Sequence, residues 1–120
     1  MNTFTIYGAN LALSQLFAGT CYAALLDVSM QEIQAADYTR QSVSFTDADG
    51  GAVLNTTDIS FPIAASDWGD IAYIALYDSQ AEGNCLSVSK VITQTIRQGN
   101  AYLIPKEYMM VRIPGALDYV

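Results

Sequence analysis

Seven consecutive residues, Ile71-Ala72-Tyr73-Ile74-Ala75-Leu76-Tyr77, carry no charge and no turn-forming side chain. An apolar run of this length reads as a strand covered on both faces, so the fold must supply material on either side of it. It is expected as the central strand, entered from a turn at Asp67-Trp68-Gly69-Asp70. The chain of 120 residues has room for one domain, and 1–120 is expected as a single β domain with a short N-terminal arm and an apolar C-terminal tail.

The rest of the punctuation is that of strands. From Thr20 onward, short apolar or alternating runs are separated by Asp, Gly, Asn and Ser, the spacing of an all-β sandwich or barrel. Strands are expected at 20–28, 40–46, 52–55, 57–62, 71–77, 85–91, 101–104 and 108–113. In Gln41-Ser42-Val43-Ser44-Phe45-Thr46 the alternation points Val43 and Phe45 inward and Ser42 and Ser44 outward. Asp47-Ala48-Asp49-Gly50-Gly51 has hairpin-turn chemistry; a calcium loop would need later ligands that this spacing lacks. Pro62, Pro105 and Pro114 fall at expected strand ends, where a missing N–H does no harm. One segment has helical spacing: after the cap-capable Asn10, Leu11, Leu13, Leu16 and Phe17 favour one face and Gly19 can end it, predicting a short helix at 10–18.

Composition closes off most chemistry. There is no His, so imidazole bases, His-bearing triads and His metal ligands are excluded. Charged residues make up 14% of the chain against a usual share of about 25%. Twelve Asp and Glu against five Lys and Arg give a net charge of −7, a poor match to nucleic acid or an anionic membrane. No run reaches the roughly 18 apolar residues of a membrane helix, because Asp27 interrupts the most apolar region. Met1 to Gly8 does not look like a secretory signal, and a soluble cytoplasmic chain is expected. Cys21 and Cys85 belong to no C-x-x-C pair and read as two buried thiols in a reducing compartment, with a single long-range disulfide as the alternative. No phosphate-cradling glycine loop is present, and no metal or cofactor is implied. What remains is an interaction protein, low in charge and holding eight tyrosines.

Two features stay open on this evidence. Trp68 can plug one end of the sandwich, fill an interface or stack on a sugar ring. The tail Ile113-Pro114-Gly115-Ala116-Leu117-Asp118-Tyr119-Val120 is too apolar to be solvated, so it either folds back over the core or docks on a neighbouring subunit. Phe4, Ile6, Tyr7, Leu117, Tyr119 and Val120 are the candidate interface residues.

A set of short motifs resembles a family of small tailed-bacteriophage virion proteins. They are Tyr38-Thr39-Arg40-Gln41-Ser42-Val43-Ser44-Phe45, Asn55, Ile59-Ser60-Phe61-Pro62, Asp67-Trp68-Gly69-Asp70-Ile71-Ala72-Tyr73, Leu76-Tyr77-Asp78 and Gly83-Asn84-Cys85-Leu86. Tyr38, Arg40 and Gln41 together with Asp67, Trp68 and Gly69 are the most specific of these, and the likeness runs over residues 9 to 113. Members are labelled tail fibre proteins, and similar small jelly rolls act as head cement. The resemblance implies a non-enzymatic, jelly-roll-like virion protein. Small size and the lack of a shaft or coiled coil favour a cement or decoration protein on the outer capsid surface, its partners the major capsid protein and itself as a dimer or trimer. The alternative is a tail or tail-fibre component binding host-surface polysaccharide, with Trp68 and exposed tyrosines as sugar platforms. A carboxylate glycosidase would need two carboxyl groups facing each other across a cleft. Arg40, one of five cations, is expected to hold a loop end closed by pairing with an acid such as Asp67 or Asp70.

Overall fold

The computed structural model describes residues 2–119. One helix, α1 (Ile6–Leu16), precedes eight strands: β1 (Cys21–Leu26), β2 (Gln41–Val43), β3 (Ala52–Leu54), β4 (Ile59–Ser60), β5 (Gly69–Tyr77), β6 (Cys85–Ile96), β7 (Leu103–Ile104) and β8 (Met110–Arg112). β2, β1, β5 and β6 form an antiparallel sheet in that order, while β3 pairs with β8 and β4 with β7 in two short antiparallel ribbons. The fold is the expected all-β sandwich, and each of the eight expected strands has a counterpart.

β5 takes the central place its composition demands. On one face Ile71, Ile74 and Leu76 meet Ala23 and Leu25 of β1, Val43 of β2, Ile59 of β4 and Ile104 of β7 in the main core. On the other face Ala24, Leu26 and Ala75 form a second cluster under half-buried Tyr73 and Tyr77. Tyr73 and Tyr77 pack against these small and aliphatic side chains from outside. At the β3 hairpin, Gly50 and Gly51 adopt φ of +60° and +77°, and Asp49 and Ala52 exchange both backbone hydrogen bonds. Both central residues are left-handed, as a tight two-residue turn requires. Val43 is buried and Phe45 packs on the core, with Ser42 and Ser44 outside, as the alternation requires.

Three features differ most from expectation. The helix starts at Ile6 instead of Asn10, because Thr5 Oγ1 accepts from the Gly8 N–H at 3.0 Å and caps it earlier. The segment read as an arm therefore supplies the first turn of α1, and Asn10 Oδ1 instead accepts from Gly51 N–H at 2.8 Å. β6 runs to Ile96, beyond the expected end at residue 91. It spends twelve residues against nine of β5, with irregularities opposite Ala72 and between Leu76 and Tyr77, and these bulges break the alternation that marks a strand in sequence. Finally, both thiols are free, but only Cys21 is buried; Cys85 opens the sheet-edge strand β6 and is exposed.

Leu25 is fully buried and Ile92 is 92% exposed. Leu25→Ala is expected to cost about 2–5 kcal/mol in chemical denaturation, whereas Ile92→Ala should stay within about 0.5 kcal/mol of the parent.

Candidate functional site

The two ends of the chain are joined. After β8 the chain turns back past Gly51, where the Ile113 N–H donates to the Gly51 carbonyl at 3.0 Å. Leu117 then lies parallel to the start of α1: its N–H donates to Phe4 O and its carbonyl accepts from Ile6 N–H, each at 2.9 Å. The tail folds back in its backbone, yet the side chains of Leu117 and Tyr119 stay exposed. Helix α1 buries Ala9 and Leu13 and turns Tyr7 and Leu11 outward. Exposed Phe4, Tyr7, Leu117 and Tyr119 thus gather with half-buried Ile6 around one junction; Val120 lies outside the described residues. No charged side chain occurs before Asp27, so Asp118 carries the only charged side chain on either joined segment. A surface this apolar and this poor in charge is the kind that proteins cover with a neighbour.

A second apolar feature lies along the open side of the sandwich. β6 is an edge strand, hydrogen-bonded to β5 alone. Between it and the 102–110 segment runs a groove of about 400 Å³. Core residues Ile74, Tyr102, Ile104 and Met109 reach its floor, and Leu103, Tyr108 and Met110, all more than half exposed, stand on its rim. The rim is built by a buried amide. Asn55 is 1% exposed; its Nδ2 donates to Thr57 O at 2.8 Å and Pro105 O at 3.0 Å, and its Oδ1 accepts from Met109 N–H at 2.8 Å. Its backbone adds bonds to Met109 and Glu107, so the 105–109 turn is fixed from a single residue.

The motif residues form a third, structural cluster. Arg40 is 8% exposed and grips Glu32 with two parallel bonds, Nε to Oε2 at 2.9 Å and Nη2 to Oε1 at 2.8 Å. Its Nη1 donates to the carbonyls of Ser79 and Glu82 at 2.9 and 2.7 Å, and its guanidinium lies 3.7 Å from the Tyr77 ring centroid. The ion-pair partner is therefore Glu32, not Asp67 or Asp70. Those two acids are taken locally: Asp67 accepts from Gln98 N–H and Asp70 from the Thr95 hydroxyl. The Tyr38 hydroxyl donates to Glu32 at 2.7 Å and accepts from Leu25 N–H at 3.0 Å, linking the clamp to β1. Trp68 is 6% exposed, packs edge-on against Tyr38 at 5.6 Å and donates to Asp37 at 3.2 Å. Being buried, it cannot serve as a sugar platform. Gln41 Nε2 donates to the Thr39 carbonyl just before β2, and Gly69, at φ +88°, starts β5 opposite Ile96.

Charge follows from this geometry. Burial alone would raise the Glu32 carboxyl, but hydrogen bonds from Arg40 and Tyr38, and the Arg40 charge, hold it below its ordinary value. Burial followed by the hydrogen bond to Glu32 pushes the Tyr38 phenol far up, so it remains a donor. Sequence reasoning did not find Glu32, Asp37 or the groove. Nothing local marks Glu32 as the partner of Arg40. The β-branched run Val91-Ile92-Thr93-Gln94-Thr95-Ile96, by contrast, was a readable sign that β6 continues.

Two measurements check these roles. Asn55→Leu strands the Met109 N–H and two carbonyls, and should cost about 3 kcal/mol or more in chemical denaturation. A carboxyl whose folded pKa is lowered stabilises the fold above its unfolded value near ~4.3, and that stability drains as pH falls through the folded value. Glu32→Gln should therefore lower stability at neutral pH and flatten the acid limb of the stability profile, read as melting temperature against pH.

Comparison with known proteins adds a family. The model of the family described as Podophage GP4 fiber I protein gp80 matches residues 4–112, which takes in the groove and the Arg40 cluster. No curated protein matches the chain.

Proposed function

This chain belongs to the podophage GP4 fiber I protein family, a family of structural phage proteins, and we propose that it serves as a structural subunit of the tail-fibre apparatus. The observation that carries this reading is the apolar junction of α1 with the C-terminal segment, where Phe4, Tyr7, Leu117 and Tyr119 stand exposed beside a single charge. Exposed aromatic and aliphatic side chains of this size contribute most when a partner removes them from water. Attachment in a virion supplies such a partner, and repetition of the subunit turns weak contacts into strong ones. The family description supports the fibre over the outer head.

Decoration of the outer capsid surface, with the major capsid protein as partner, is the second reading. It is favoured by architecture: among the described residues the only helix spans eleven, and no shaft or coiled coil is present. Host polysaccharide binding loses its best platform with Trp68 inside the core.

Quantitative mass spectrometry of purified particles separates the readings. A fibre subunit should appear at a few copies per particle and travel with tails when heads and tails are parted. A ratio comparable with the shell protein would overturn the fibre assignment in favour of decoration, and absence from particles would overturn both.

A further inference from the structure

The charges of this chain are segregated. Residues 1–84 hold ten acids and one cation, Arg40, which is already paired with Glu32; residues 85–112 hold Lys90, Arg97, Lys106 and Arg112 against Glu107 alone. The second stretch builds the groove. Lys90 lines it and Lys106 follows the lining residue Pro105, whereas Arg112 pairs with Ala52 on β3, next to the Gly51 that bonds Asn10 of α1. Lys90, Lys106 and Arg112 are exposed and form no ion pair among the described residues. Glu107 stands on the adjoining turn, and Asp58 Oδ1 accepts from the Lys106 N–H at 2.8 Å. A largely acidic protein thus keeps an apolar groove flanked by uncommitted cations.

The α1–tail junction is apolar as well, and the charged side chain it carries is an acid, Asp118. It cannot reach the groove of its own chain, since Leu117 is held at Phe4 and Ile6 by two backbone bonds. We propose that the groove along β6 receives the α1–tail junction of a second copy. Charge selects this pairing over its competitors. Groove against groove would face cations with cations, and junction against junction would face Asp118 with Asp118 and leave both sets of cations unmatched. Groove against junction sets cations near an acid and covers two apolar surfaces at once. The contact joins different surfaces on the two copies, so every subunit retains one free groove or one free junction. Such a contact closes a ring when its rotation permits and otherwise extends as a filament. The inference deepens the fibre reading and rests on it, since it names the neighbour that covers the junction.

Two variants and their mixture test this with the 120-residue chain in sedimentation velocity. Met110→Glu places an acid on the groove rim, at a side chain 55% exposed; Tyr7→Glu places one on the junction, at a side chain 75% exposed in the first helical turn, where an acid suits the helix dipole. The parent chain should associate beyond a monomer, more weakly as salt rises. Each variant alone should be monomeric, with affinity lowered roughly thirtyfold or more and melting temperature unchanged. Mixed in equal amounts they should form a dimer and nothing larger, because Met110→Glu keeps an intact junction and Tyr7→Glu an intact groove. A parent chain that stays monomeric overturns the inference, as does a Tyr7→Glu variant that still dimerises through its groove, or a mixture that stays monomeric. Particle composition is read separately. A protein found in tails but monomeric in solution overturns this inference alone, whereas absence from particles overturns the fibre reading and leaves the solution result standing.

Discussion

The pairing of β1 with β5, buried on both faces, is the constraint on which the rest of the molecule depends. Ala23 and Leu25 face one core while Ala24 and Leu26 face the other, and β5 matches them residue by residue across the ladder. With the middle of the sheet committed in this way, β2 and β6 become its edges. β2 is short and continues by an isolated bridge toward β3, whereas β6 is twelve residues long and has nothing on its outer side among the described residues. Bulges and Lys90 blunt that edge against plain strand addition, as natural sheets require. The groove beside it remains, because the two ribbons opposite are too short to close the sandwich along its full length.

Side chains from distant parts of the chain hold this frame. Arg40 draws the 79–82 loop, Glu32 and Tyr77 into one clamp, and the planar guanidinium makes this possible: four of its donors are used in two directions while its face rests on a ring. Asn55 does the corresponding work on the other layer, holding the turn that forms the groove rim. Both are buried polar groups with their partners in place, and no buried side-chain polar atom among the described residues lacks one. Such networks specify one arrangement of loops more sharply than apolar packing does.

What could be read in the sequence follows the same division. The strands were legible where a short-range pattern carried them: the unbroken apolar run of β5, the alternation of β2, the glycine pair before β3. The far half of β6 lacked such a pattern, since bulges destroy the period of two and Ile92 at the irregularity faces solvent, and only its β-rich composition marked it. The helix was legible in kind but shifted in place, because the cap is Thr5 and Asn10 is drawn away by Gly51. Arg40 was recognisable as a clamp residue, but its partner was not, as nothing in the spacing from Glu32 distinguishes that acid from Asp67 or Asp70. The junction residues were suspected from their composition alone; that the two ends of the chain meet is a property of the fold. The groove was invisible, since its walls come from β5, β6, β7 and the 105–110 segment.

The family is one of structural phage proteins, and the proposed role is that of a subunit held in place by its neighbours. Its low charge, its lack of His and its exposed aromatic side chains suit contact surfaces better than reactions. Segregated charge gives those surfaces a direction, with an apolar junction at the joined termini and a cation-flanked groove along β6. Cryo-electron microscopy of the intact particle tests this account most directly. It predicts tail-associated copies in which the α1–tail junction of one subunit fills the β6 groove of the next. Copies whose β6 groove faces open solvent, or whose junction rests on the head lattice, would contradict it.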